Sequence, residues 1–248
     1  MSIESAADWE GLRAAATVAR LALDLLEREV RPGVTTAHLD ALAAQLFAAH
    51  GARSAPALVY GFPGTVLLSI NDEIVHGVPG ERVLLGGDLV KLDVTVEKDG
   101  YVADAARSVV VPPAGDTALR LVACAQAAFR AGLAVVRAGV RVSEIGRAVE
   151  REVRRRGFRV VPELAGHGVG RTIHEPPTVP NQWNPLQRDL LTEGLVLTVE
   201  PLIAAGPARA VTAADGWTIR TSDGSLAAHH EHTIVVTRGR PVVLTEAA

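Results

Sequence analysis

The sequence is poor in several residues that would point to a specialised environment: its 248 residues include one Cys, one Met, two Lys and nine aromatics. A single cysteine, Cys124, excludes an internal disulfide framework and a cysteine-based metal cluster, and fits a reducing compartment. No continuous apolar run approaches the ~18–20 residues that a membrane helix needs. The opening MSIESAADWE is acidic and lacks the apolar core of a secretory signal, so a cytoplasmic location is expected. There is also no excess of positive charge: 25 basic residues against 28 acidic ones leave a net charge of −3. That balance removes the electrostatic footprint of a dedicated nucleic-acid binder. His-Glu-x-x-His, paired Cys-x-x-Cys, Walker-loop and Gly-x-Ser-x-Gly patterns are all missing, and with them the chemistries they carry. What is present is 48% hydrophobic residues, enough to bury a substantial core.

The chain repeats itself. At an offset of 106, Val30-Arg31-Pro32-Gly33-Val34 aligns with Val136-Arg137-Ala138-Gly139-Val140, and Gly51, Arg53, Pro56 and Leu58 fall on Gly157, Arg159, Pro162 and Leu164. These make eight identities over positions 30–58, where composition alone predicts about two. Slipping the offset by one aligns Gly87–Asp93 with Gly194–Glu200, and a carboxylate ends each apolar run. Each half reads as helix, turn, helix, then strands. Trp9 to Val30 is expected to be helical with Asp8 as its N-cap, followed by a helix capped by Thr35 or Thr36 and ending near His50-Gly51. The second half repeats this with Thr117 to Arg137 and a helix capped by Ser143 that stops at Gly157. Strands are expected over Val66–Ile70, Leu89–Val96, Tyr101–Val111, Leu195–Val199 and His232–Val236. Sequential strands joined by tight turns imply an α+β fold with mainly antiparallel pairing and helices on one face. Halves of roughly 8–111 and 115–240, related by a pseudo-twofold axis, would form one domain, 1–248, around a central cleft.

Between Leu92 and Asp104, Asp99-Gly100 separates two alternating runs, a strong hairpin signal. With those two residues as the turn, cross-strand partners sum to 199. Asp104 then faces Thr95, and Asp93 becomes its diagonal neighbour on the same face, ~7–8 Å away. Two unpaired carboxylates on an apolar face would cost several kcal/mol, which a cation, two arginines or solvent exposure could each offset. His167 stands between glycines in Gly166-His167-Gly168-Val169-Gly170, where backbone and imidazole can come close to a ligand. Glu200 ends an apolar strand, and Glu231 opens another. One imidazole and four carboxylates suit Mn, Fe(II), Co or Zn, and four negative charges balance two divalent ions.

In this order and spacing the residues resemble type I methionine aminopeptidase, of the pita-bread fold shared with X-Pro peptidases and creatinase. The markers are Ser69-Ile70-Asn71 to Val75-His76-Gly77, Leu92–Thr95, Gly166–Gly170, His174-Glu175-Pro176, Val199-Glu200-Pro201 and Glu231–Val236. The resemblance implies a dinuclear site in which His167 and Glu200 hold one ion, Asp93 holds the other, and Asp104 and Glu231 bridge them. It implies removal of an N-terminal methionine that precedes a small residue, by a metal-bridged hydroxide. Glu200 would be the base, and His76 and His174 would contact the substrate and the tetrahedral intermediate. Tyr60, Phe62, Leu67, Ile173 and Trp217 fall where the family lines its methionine pocket. The implied partners are peptide or nascent-chain N-termini, met at the ribosome, with no membrane or nucleic-acid partner and a monomeric state.

The chain departs from the family's pattern at Ala103 and Ala105 around Asp104, at Leu67 and Ile173, and in a shortened Tyr60–Pro63 segment. The departures put strict preference for methionine in doubt more than metal chemistry. An X-Pro peptidase of the same fold usually carries a large domain ahead of the position of Trp9. A type II enzyme would carry an insertion between His174 and Glu200, which here stand 26 residues apart. A non-catalytic relative would not be expected to keep all five ligands.

Overall fold

The computed structural model describes residues 1–207 and 209–246. The first half runs α1 (Ala6–Glu29), α2 (Thr36–Ala49), β1 (Arg53–Ser54), α3 (Ala55–Tyr60), β2 (Leu67–Ile70), β3 (Glu73–Val75), β4 (Leu89–Lys98) and β5 (Tyr101–Val110). The second continues with α4 (Asp116–Leu133), α5 (Ser143–Arg155), β6 (Arg159–Val160), β7 (Ala165–Gly168), β8 (Glu175–Pro180) and β9 (Val196–Val199). It closes with β10 (Leu202–Ala204), β11 (Ala210–Thr212), β12 (Ile219–Thr221), β13 (Ala227–His229), β14 (Glu231–Val235) and β15 (Val242–Val243).

The repeat has a structural counterpart. Gly33 and Gly139 share φ near +89° and +88°, and Gly51 and Gly157 are both left-handed at +62° and +84°. These are turns that a side chain would strain, which is why glycine recurs there. Gly87 and Gly194, at the shifted offset, match at +94° and +83°. Each half carries its own core. Leu23, Leu26, Leu39, Leu68 and Val94 pack α1 and α2 against β2 and β4; Leu121, Phe129, Ile145, Val149, Leu197 and Ile234 pack α4 and α5 against β9 and β14. A fully buried leucine contributes ~1.5–3 kcal/mol, so these two clusters hold the helices to one face of the sheet.

One nine-stranded sheet joins the halves. Its main path runs β1-β4-β5-β14-β9-β7-β8, with β2 on β4 and β15 on β14, and every pairing is antiparallel. The seam lies where β5 meets β14, with Glu231 opposite Ala106 and His232 opposite Ala105. A small sheet, β11-β12-β3, crosses the halves a second time.

The hairpin arithmetic holds: Asp93 pairs Ala106, Thr95 pairs Asp104 and Lys98 pairs Tyr101. Asp99 and Gly100 are both left-handed, at φ +51° and +83°, as a two-residue hairpin of this twist requires.

Three local expectations need correction. Ser5, not Asp8, caps α1: its hydroxyl accepts from the Asp8 amide, and the Asp8 carboxylate reaches back to the Glu4 amide. The exchange satisfies the Asp8 amide of the first helical turn and ties the preceding Glu4 amide to the same turn, which Asp8 at the cap could not do alone. Ser143 opens α5 without capping it, because the chain enters from a helical Val142 and no side-chain cap bond forms. Helix α4 ends at Leu133 rather than Arg137, and the unforeseen α3 is capped by Ser54 with Pro56 in its first turn.

Candidate active site

The sheet register delivers a row of side chains. Leu67 on β2 stands opposite Asp93 on β4, Asp93 opposite Ala106 on β5, and Ala106 opposite Glu231 on β14. Glu200 follows one position beyond the last β9–β14 pair, Val199 with His232. Asp104 is two residues along β5 from the small Ala106, so its carboxylate enters the same space. The alternation of the pleat thus puts carboxylates from both halves on one face.

His167 arrives on β7. Its amide donates to Thr198 Oγ1 at 3.1 Å, and the same hydroxyl donates to Glu200 Oε1 at 2.8 Å, so one threonine sets both side chains. The glycines around His167 serve strand packing rather than ligand approach. A Cβ on Gly168 would sit 2.2 Å from the Pro176 carbonyl oxygen, and one on Gly166 would sit 2.8 Å from that of Thr198. Asp104 is held by two further threonines. The Thr95 hydroxyl donates to its Oδ1 at 2.9 Å, while the Thr233 hydroxyl accepts from its amide and donates to its carbonyl. These hydroxyls support Asp104, although Ala103 and Ala105 flank it.

All five residues converge on a cleft of about 490 Å³. His167 Nε2 lies 3.4 Å from Glu200 Oε1 and 3.9 Å from Asp104 Oδ2. Two trios of donors, Asp93–His229–Glu231 and Asp104–His167–Glu231, each bring their ligand atoms within 4.8 Å of one another, and Glu231 belongs to both. Glu231 is 2% exposed although it opens a strand, and its Oε1 has no hydrogen-bond partner among the described residues.

Burial raises the pKa of all four carboxyls, Asp104 to about 7; the negative charge of neighbouring carboxylates raises Asp93, Glu200 and Glu231 further. Burial and the nearby His174 push His167 down to about 4, which keeps its imidazole neutral. Oxygen donors whose ionised forms repel one another, beside a neutral imidazole, fit divalent cations: an ion supplies the charge that the buried oxygens lack.

The wall of the cleft contains the other expected residues. Tyr60, Phe62, Leu67, His76, Ile173, His174 and Trp217 all line it. The Phe62 and Trp217 rings meet edge to face at 5.3 Å. The Glu175 carboxylate accepts from the Arg171 and Thr172 amides at 2.7 and 2.8 Å, which fixes the turn that presents His174. His76 has a left-handed backbone at φ +61°, a conformation costing a non-glycine residue about 1–2 kcal/mol. Burial and the proximity of His174 lower the His76 pKa to about 4.

Sequence reasoning gave no role to His229. It is 1% exposed, its Nε2 is 3.4 Å from Glu231 Oε2 and 3.8 Å from Glu200 Oε2, and its Nδ1 is 3.9 Å from Asp93 Oδ2. The signal available was its position two residues before Glu231. The supporting residues Thr95, Thr198 and Thr233 also went unassigned; Thr198 and Thr233 carried no signal beyond a β-branched residue in a strand.

A buried cluster of carboxylates and imidazole at the seam of a two-fold repeated antiparallel sheet defines a metallo-hydrolase site, and residues 10–238 match the model of metallopeptidase family M24, to which the chain belongs. Its relatives narrow the likeness. It is 39% identical to methionine aminopeptidase 2 of Bacillus subtilis over 99% of this chain and 100% of that one. The crystal structure of methionine aminopeptidase from Thermotoga maritima superposes with a TM-score of 0.96 at 30% identity, covering 100% of both chains. That from Rickettsia prowazekii gives 0.94 at 36%, covering 99% of this chain and 100% of the other. Prolidase from Pyrococcus furiosus shares the pita-bread fold, with a TM-score of 0.80 at 20% identity over 99% of this chain and 66% of that one.

Proposed function

We propose that the chain removes the N-terminal methionine from peptides and nascent chains whose second residue is small. In this reading Asp93, Asp104, His167, Glu200 and Glu231 hold two divalent ions drawn from Co, Mn, Fe(II) and Zn. The observation that carries it is the meeting of these four buried carboxyls and the half-buried His167 with an aromatic-walled cleft, in a chain whose full-length relatives are named methionine aminopeptidases. Because the five come from both halves, the chain works as one catalytic unit.

Bound divalent ions supply a polarised scissile carbonyl and a water acidic enough to attack it near neutrality. The protein does the rest. Glu200, fixed by Thr198, takes the proton of the attacking water and returns it to the leaving amine. His76, its pKa lowered to about 4 by desolvation in the cleft, and His174, whose pKa desolvation also lowers, each offer an N–H to stabilise the developing oxyanion. The Tyr60 phenol is hydrogen-bonded to His174 Nδ1; in this reading the phenol is the donor, which leaves Nε2 to carry that ring's proton. Phe62, Trp217, Leu67 and Ile173 enclose the methionine side chain.

The test is hydrolysis of Met-Ala-Ser, Met-Lys-Ser and Ala-Pro peptides by metal-stripped protein refilled with each ion. Met-Ala-Ser should be cleaved and the others spared. Glu200→Gln should lose about 10²–10⁴-fold in kcat. Turnover of Ala-Pro alone would replace this reading with an X-Pro activity, and ion binding without any turnover would make the chain a binding protein.

A further inference from the structure

We infer that His229 is a sixth protein ligand of the metal centre, supplying an imidazole on the Asp93 side to match the one His167 supplies beside Glu200; this rests on the metal-dependent reading above. The backbone of His229 is fixed on both sides of its Cα. Its amide donates to Ser108 Oγ at 2.9 Å, and the Ser108 hydroxyl donates to its carbonyl at 2.8 Å. Pairing of His229 with Leu202 at the end of β13 fixes the strand as well. The ring therefore enters the carboxylate cluster from a clamped backbone.

Neither ring nitrogen has a hydrogen-bond partner among the described residues. A neutral imidazole has one N–H and one lone pair to place, and carboxylate oxygens of Asp93, Glu200 and Glu231 lie within 4 Å of its nitrogens. A lone pair turned toward those oxygens is repelled unless a cation lies between them. The spacing agrees: at 3.4–3.9 Å these contacts exceed the ~2.7–3.2 Å of a hydrogen bond. They match the roughly 3–4 Å that separates ligands each ~2.0–2.2 Å from one ion. His229 and Asp93 also share a donor trio with Glu231, just as His167 and Asp104 do. With one imidazole on each side, both positions favour borderline ions such as Zn, Co and Fe(II) over the harder Mn.

The test uses the full chain stripped and reloaded with zinc. X-ray absorption at two equivalents should count one imidazole per ion in the wild type and one per two ions in His229→Gln. Calorimetry should find one of the two ions bound about tenfold or more weakly in the variant and the other unchanged. Should the variant fail to fold, as judged by circular dichroism, the wild-type imidazole count and the ¹⁵N shift of the His229 ring on metal addition decide alone. Half an imidazole per ion in the wild type, or two unchanged affinities in a folded variant, would overturn the assignment while leaving the aminopeptidase reading intact. If neither protein binds zinc, both fall.

Discussion

The phenol oxygen of Tyr60 lies 2.5 Å from His174 Nδ1, joining α3 to the turn before β8 across 114 positions of sequence. Removing that hydroxyl leaves His174 free to change tautomer. Tyr60→Phe is therefore expected to lower kcat/KM about three- to tenfold, the value of one hydrogen bond. Melting temperature should not move, because Tyr60 is 49% exposed. Unchanged kinetics on Met-Ala-Ser would show that the bond is not used in turnover.

The titrating groups of the cleft give a pH prediction with a definite sign. Burial raises the folded-state pKa of the four carboxyls, Asp104 to about 7. In metal-free protein their contribution to stability is complete below the unfolded value near 4 and is lost as pH rises toward 7. The histidines oppose this: burial lowers His76 and His167 to about 4, so their contribution is present above about 6.5 and lost as pH falls. The difference between loaded and stripped protein isolates the proton competition at the metal site. The rise in melting temperature on adding zinc or cobalt should grow from pH 5 to pH 7, and binding should release protons. Calorimetry in buffers of different ionisation heat measures that release, and a pH-independent increment would count against carboxylate ligation.

Trp217 meets Phe62 edge to face on the cleft wall. Trp217→Ala should cost about 10–100-fold in kcat/KM for methionyl peptides, as a buried apolar contact of ~1–3 kcal/mol is lost. Alanyl peptides, too short to reach the wall, should lose much less. An equal loss on both substrates would place Trp217 outside the side-chain pocket.

Gly168→Ala puts a methyl group 2.2 Å from the Pro176 carbonyl oxygen. Strand β7 must move away from β8, at a cost of about 1–3 kcal/mol in stability, and His167 moves with it. Chemical denaturation should show the loss together with weaker metal binding; a variant of wild-type stability would contradict the packing role of this glycine.

Much of this site was legible in the sequence wherever local geometry fixes the answer. The Asp99-Gly100 turn determines its own register, so the relation of Asp93 to Asp104 follows by arithmetic. The repeat pairs Asp93 with Glu200 because left-handed glycines stand at equivalent turns. His229 lies beyond such reasoning: it ends a three-residue strand, Ala227–His229, whose place comes only from its long-range pairing with β10. The Ser5 and Asp8 exchange at the start of α1 was hidden because both residues are good caps, and only the path of the chain selects between them.

The exposed link Pro112–Gly115 connects β5 to α4; the main apolar cluster of each half lies mostly on its own side, while a smaller one packs Leu12 and Val102 against Val169, Val196 and Val235 across the two. Severed at that link, the polypeptide would yield two fragments, each keeping its main helix–sheet cluster and exposing the apolar residues it shares with the other. One would carry Asp93 and Asp104; the other, His167, Glu200 and Glu231. Neither could assemble the set alone, so peptide cleavage by the mixture would report the reunion of β5 with β14, and divalent ions would act as the glue between them.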